Sequence, residues 1–170
     1  MRKTLLSAIL CISFLFLPAT ASASTHSKKI VEHLKDGSCF ETVTENKSPV
    51  YYTYQKKKLR GGRICGYSSA KKKAVTKSKT TYYRNRKGKI MWYIKVTGTF
   101  IYDGKSAKCI KSTINAKSKT KAWKIKNPRT VKKAASAIGT ATAQHYYQGI
   151  AAESITRTVT LRCTRYGKIS

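Results

Sequence analysis

The sequence predicts an all-β protein: an antiparallel, immunoglobulin-like β-sandwich held by two disulfides and preceded by a signal peptide. Three observations lead there. Several stretches alternate apolar and polar residues with a period of two, as half-buried strands do. Turn signals such as Asp103-Gly104, Asn127-Pro128 and Gly149 punctuate them. Four cysteines remain once an export signal is removed, an even number in a chain bound for an oxidising compartment.

Residues 1–23 read as the signal peptide. Arg2 and Lys3 form a positive start, and residues 5–17 are an apolar run of 13 broken only by Ser7 and Ser13. Pro18 ends the run, and Ala21-Ser22-Ala23 supplies the small residues of a cleavage site, with Ala19-Thr20-Ala21 as the alternative. A bilayer needs about 20 apolar residues, so this run is too short to span one. A lipoprotein reading through Cys11 fails, because large Leu10 precedes it and the apolar run continues beyond it. No later stretch approaches membrane-spanning length. The mature chain is therefore expected to be secreted, free or retained at the cell wall by charge, with no transmembrane segment.

Residues 24–48 form an N-terminal segment. A short helix is expected over residues 27–34, with Ile30, Val31 and Leu34 on one side and Gly37 as its stop. The sandwich domain follows at 49–170, starting with a Tyr-rich strand at 50–55. Residues 56–89 are expected to be a long mobile segment, although Tyr82-Tyr83 hints at a strand inside it.

Ile90 to Tyr102 is the clearest strand. Ile90, Trp92, Ile94, Val96, Phe100 and Tyr102 share one face, and Met91, Tyr93, Lys95, Thr97, Thr99 and Ile101 the other. Asp103-Gly104 suits a two-residue hairpin turn. In that register Phe100 faces Ala107 and Gly98 faces Cys109, leaving room beside the sulfur. Residues 121–126 place Trp123 and Ile125 opposite Lys124 and Lys126, and residues 140–147 alternate Ala141, Ala143, His145 and Tyr147 with polar partners. In the last strand Ile155, Val159, Leu161 and Cys163 share a dry face, with Arg157 the exception, while Thr156, Thr158, Thr160, Arg162 and Thr164 share a wet one. Tyr166-Gly167 ends the chain's structure.

The four mature cysteines are Cys39, Cys65, Cys109 and Cys163, which allow three pairings. Cys109 and Cys163 both point inward from long strands, so they are expected to pair across the sheets, and Cys39 with Cys65. The second bond closes a loop of about 26 residues, worth roughly 3 kcal/mol by chain entropy. The alternative is four free thiols. A zinc site is disfavoured, because there is no Cys-x-x-Cys pair and the histidines are isolated. No cofactor is implied.

Thr97-Gly98-Thr99-Phe100-x-Tyr102-Asp103-Gly104-Lys105, then Cys109, Trp123, Thr158-Val159-Thr160-Leu161-x-Cys163 and Gly167 resemble a pattern in uncharacterised small secreted β-sandwich proteins of Gram-positive, gut-type bacteria. The resemblance covers roughly residues 88–170. It implies export, a β-sandwich and the Cys109–Cys163 pair, and brings no catalytic residues. The Lys-rich first half departs from the pattern.

Charge is the main functional clue. The chain has 36 basic and 6 acidic residues, and cleavage leaves a net charge of +28. Residues 56–89 hold 14 basic side chains and no acid: Lys56, Lys57, Lys58, Arg60, Arg63, Lys71, Lys72, Lys73, Lys77, Lys79, Arg84, Arg86, Lys87 and Lys89. They are the candidate polyanion-binding residues. Residues 104–152 hold 11 more, again without an acid. A genome that favours Lys codons would raise Glu as well, so the asymmetry asks for another reason. Self-repulsion at this charge works against a compact fold unless a partner or cross-links offset it. Lys outnumbers Arg 27 to 9. Lys is a hydrated point charge, suited to delocalised attraction to an anionic polymer or an anionic cell surface rather than to sequence-specific nucleic-acid reading. The expected partners are teichoic acid, anionic glycan or lipid, and extracellular nucleic acid. Interleaved Tyr51, Tyr52, Tyr54, Tyr67, Tyr82 and Tyr83 either stack on the ligand or fill a sheet face.

No enzyme is expected. The histidines are His26, His33 and His145, and a Cys-His nucleophile needs a free thiol. A glycosidase needs two facing carboxylates. Of the acids Glu32, Asp36, Glu41, Glu45, Asp103 and Glu153, four lie before residue 46, one sits in a turn and one stands alone. The least remote catalytic alternative is a small hydrolase or nuclease using His33 or His145 with a Lys clamp. The main alternative is a cationic, bacteriocin-like antimicrobial protein, which ranks lower because a membrane-active chain usually carries a broad amphipathic helix.

Overall fold

A computed structural model describes residues 27–46, 50–53 and 71–170. These residues form nine strands: β1 Lys28–His33, β2 Cys39–Asn46, β3 Val50–Thr53, β4 Lys71–Arg84, β5 Ile90–Tyr102, β6 Ala107–Ser118, β7 Trp123–Lys133, β8 Ser136–Tyr147 and β9 Ile150–Arg162. All pairings are antiparallel. The large sheet has the order β1-β2-β4-β5-β6 with β3 also on β4, and the small sheet the order β7-β8-β9. The described residues contain no helix long and apolar enough to cross a membrane.

The expected all-β architecture of antiparallel sheets is met. The neighbour order differs from an immunoglobulin-like one. Such domains swap strands by Greek-key connections, whereas here neighbours follow chain order. β2 pairs β4 between Lys77 and Arg84, and β3 continues the same edge between Lys71 and Ala74. The described strands thus form one sequential meander that folds over itself between β6 and β7.

Packing follows from complementary side-chain size. β5 turns Trp92, Ile94, Val96 and Phe100 inward, all with no exposed surface, and the alternation read from the sequence is the observed one. Opposite them β8 turns Ala137, Gly139, Ala141 and Ala143 inward, and β9 adds Val159 and Leu161. Large residues on one sheet meet small residues on the other, which lets the layers interdigitate at interior density. At one end Phe40, Tyr83, Trp92, Trp123 and His145 form a chain of ring contacts 4.9–6.2 Å between centroids.

Three expectations are corrected. Residues 27–34 are not a helix: β1 pairs with β2 from Lys28 to His33, and the β-branched pair Ile30-Val31 suits that strand. The expected mobile segment contains β4, whose 14 residues lie between β2 and β5. Its lysines concealed a period of two, because Lys77 and Lys79 share the inward side with Val75 and Tyr83. The β5–β6 turn is longer than two residues. Asp103 accepts hydrogen bonds at Oδ1 from the N–H groups of Lys105 and Ser106 (3.0 and 2.8 Å), so Tyr102 faces Ala107 and Phe100 faces Cys109. Gly98 instead makes room for the Phe100 ring and Ala137, which a Cβ would approach within 2.6 and 2.9 Å.

The expected disulfides are not formed in this structure. Cys109 and Cys163 are buried neighbours across the two sheets, and their N–H groups donate to the successive carbonyls of Ala134 and Ala135 in the β7–β8 turn (both 2.9 Å). They are thiols here, donating to the carbonyls of Lys111 and Thr164 (both 3.3 Å). Cys39 is a thiol too, and its expected partner Cys65 lies outside the described residues.

Candidate polyanion-binding face

The side of the small sheet that faces away from the core is built from five cross-strand rows. They are Lys124–Gln144–Ser154, Lys126–Thr142–Thr156, Arg129–Thr140–Thr158, Val131–Ile138–Thr160 and Lys133–Ser136–Arg162. The cations sit mainly on β7, one of the two edge strands, and the threonines on β8 and β9. Two rows are locked by hydroxyl pairs, Thr140 with Thr158 at 3.0 Å and Thr142 with Thr156 at 2.8 Å. Lys124 lies 4.6 Å from the centroid of Tyr146, whose hydroxyl donates to Gln144.

A bulge aligns the cations of β7. Asn127 and Pro128 both fall between Lys126 and Arg129, which face Thr142 and Thr140 with only Ala141 between them. The bulge absorbs one residue and resets the alternation. Without it, Arg129 and Lys133 would turn toward the core. Proline lacks the N–H of a ladder bond and is tolerated at bulges and edges, and Asn127 accepts the positive φ of 49° that the kink imposes. An edge strand carrying lysines, a proline and a bulge also resists pairing with other sheets.

This face has no acid. All six carboxylate residues of the chain lie among the described residues and none is on these rows. Four ion pairs join described residues: Lys29–Glu41 (3.3 Å), Arg84–Glu41 (2.8 Å), Lys95–Glu45 (2.9 Å) and Arg157–Glu32. Three hold the outer side of the large sheet, and the fourth ties β9 to β1 beside Phe40, over whose ring the Arg157 guanidinium lies 4.3 Å from the centroid. Asp36 caps the β1–β2 turn, where the hydroxyl of Ser38 donates to it at 2.6 Å and holds its carboxyl below the usual range. Lys124, Lys126, Arg129, Lys133 and Arg162 have no ion-pair partner among the described residues.

The fourteen basic residues singled out by composition do not form one patch. Lys56, Lys57, Lys58, Arg60 and Arg63 lie outside the described residues, as do Tyr54 and Tyr67. Lys71 and Lys72 start β4 opposite Thr53 and Tyr52. Lys73 lines a cleft of about 220 Å³ with Tyr102, Arg165 and Tyr166. Lys77 and Lys79 are half-buried on the inward side, and burial lowers both their pKa values. Lys79 donates to the carbonyl of Thr160 at 2.9 Å, covering an edge position of β9. Arg84 is committed to Glu41 and to the carbonyl of Gly88. Arg86, Lys87 and Lys89 project from the β4–β5 turn, the first two beside a cleft of about 370 Å³ shared with Asp36, Ser38, Tyr83 and Asn85.

Residue counting missed Arg162 and gave no special weight to Lys124, Lys126, Arg129 and Lys133. The signal was present in the acid-free stretch 104–152, but the bulge at Asn127-Pro128 had to be recognised before those cations could be put on one side. Of the histidines, His33 is exposed on β1 and His145 stacks on Trp123 at 4.9 Å. Among the described residues no three His, Cys, Asp or Glu side chains are grouped to hold a metal ion. No protein-family model, curated protein or solved structure matches the chain.

Proposed function

We propose that the protein is a secreted, non-enzymatic binder of extracellular polyanions, and that the outward face of β7, β8 and β9 is its contact surface. The carrying observation is the separation of charge: the ion pairs among the described residues lie elsewhere, while five cations share a sheet face without an acidic side chain. A phosphate or carboxylate polymer brings the countercharge that the chain does not supply. Ion release from that polymer makes the affinity strongly salt-dependent. Lysine predominance and the lack of a stacking platform on this face favour attraction to a repeated charge over sequence reading. An anionic cell surface of the same chemistry is the natural place of retention.

The exported form carries a Cys109–Cys163 disulfide in this reading. The two buried sulfurs face each other's sheet across one turn, and an oxidising exterior removes two hydrogens from them. Closing a loop of that length stabilises the fold by about 4 kcal/mol in the chain-entropy estimate.

Binding of the mature protein to heparin, poly(glycerol phosphate) and single-stranded DNA across a salt series tests the proposal. The expected result is a log–log slope of about −3 to −4 from the four β7 cations, lost in the quadruple variant K124A/K126A/R129A/K133A. A control variant R86A/K87A/K89A should keep most of the affinity. Equal losses in both variants, or a flat salt response, would refute the assignment of the face.

A further inference from the structure

The spacing of the cations on β7 selects among anionic polymers. This step rests on the polyanion reading of the same face. Same-side residues of a strand recur every two residues, which is six backbone bonds and about 6.6–6.8 Å. A phosphodiester polymer with a three-carbon linker also places six bonds between successive phosphorus atoms, and in extended form its charges recur on the same scale. A five-carbon polyol phosphate places eight bonds there, and inorganic polyphosphate only two.

Lys124, Lys126 and Arg129 occupy consecutive rows, Val131 the next and Lys133 the fifth, because the Asn127-Pro128 bulge keeps the row in phase. The line spans about 27 Å at the strand rise. Beside it, at the interstrand spacing of about 4.8 Å, runs the second line of Thr142, Thr140 and Ser136, with Thr156 and Thr158 beyond. These hydroxyls offer hydrogen bonds to the hydroxyls of a polyol linker. Aromatic surface is confined to Tyr146 at one end, already engaged by Lys124, so bases would find little to stack on.

We infer that the face binds an extended polyol-phosphate chain of glycerol-phosphate repeat, one phosphate per row along β7, with the linker hydroxyls over the threonines. The missing charge at Val131, whose side chain is 55% exposed, provides a gain-of-function test. In V131K every row of the line carries a cation.

The experiment compares, at 150 mM salt and matched phosphate number, oligomers of glycerol phosphate, ribitol phosphate, inorganic phosphate and single-stranded deoxynucleotide. The expected order has the glycerol-phosphate oligomer tightest, by roughly tenfold, a difference of about 1.4 kcal/mol. V131K should steepen its salt slope by about 0.7, and T142V/T158V should weaken it while leaving inorganic polyphosphate unchanged. Equal affinity for all four probes, with K124A/K126A still weakening each, would overturn the repeat selection and leave polyanion binding standing. A tighter deoxynucleotide would overturn the polyol assignment in favour of nucleic acid. Indifference of all four probes to K124A/K126A would overturn both.

Discussion

Gly139 marks the closest approach of the two sheets. A Cβ built there would overlap the Val96 Cγ2 methyl and lie 3.2 Å from Ile114 Cδ1, and Val96 is fully buried with nowhere to move. Gly139→Ala should therefore destabilise by about 1–3 kcal/mol, read as a lower urea midpoint with unchanged slope. An unchanged midpoint would mean that the layers are farther apart. Glu41 gives a second test at this scale. Burial opposes its charged form, but hydrogen bonds and charge from Arg84 and Lys29 outweigh that, so its carboxyl titrates below the usual range. The folded state then holds this proton less tightly than the unfolded chain, whose glutamates titrate near 4.3. The stability Glu41 contributes is complete above that value and is lost as pH falls through the lower folded one. Unfolding free energy should drop between about pH 5 and pH 3, with a shallower fall in Glu41→Gln. An identical pH profile in the variant would show that this contact is not coupled to folding. Neither residue was conspicuous in the sequence. Gly139 carries no side chain to mark the face it lies on, so nothing in the strand pattern signalled the close approach there. Glu41 became meaningful only when β4 brought Arg84 beside it.

The strands with apolar residues at every second position, β5 and β9, were legible because each buries one side and wets the other. β4 was not, because its inward positions include Lys77 and Lys79, the second of which donates to the Thr160 carbonyl of β9. β1 was misread because six residues hold too little pattern to separate a period of two from one of 3.6. The β7 bulge is the element on which the candidate site depends. Asn127→Val should cost about 1–2 kcal/mol, because a β-branched residue resists the left-handed conformation, while Asn127→Gly should be nearly neutral. Deleting Pro128 removes the extra residue without changing which way Arg129 and Lys133 point, so anion affinity should stay within about twofold of the parent. Loss of affinity in that deletion would mean that the kink itself, and not the alignment it restores, makes the site.

At the scale of the molecule, the proposed disulfide makes its own prediction. Protein recovered from the culture medium should be lighter than the reduced chain by the hydrogens of the Cys109–Cys163 bond, and reduction should lower its melting temperature. After reduction, burial and the neighbouring Cys109 push the Cys163 thiol up to about 11. Iodoacetamide at pH 8 should then label Cys163 only once the chain is unfolded. Rapid labelling of the folded, reduced protein would show that the sulfurs are not enclosed. The sequence revealed the net charge and the strand content, since both are local sums. It hid which cations meet acids, because the Arg157–Glu32 pair joins residues 125 positions apart.

The strand order has a consequence for how the chain assembles. When a polypeptide is delivered amino end first, β5, β6, β8 and β9 each find the strand they pair with already waiting, a few residues behind. Pairing can then advance like a zipper with every length that emerges. The clasp between Arg157 and Glu32, the Lys79–Thr160 hydrogen bond and the tucking of the β7–β8 turn between Cys109 and Cys163 must wait for the final stretch. A single late arrival thus locks a sheet whose earlier part has had time to form.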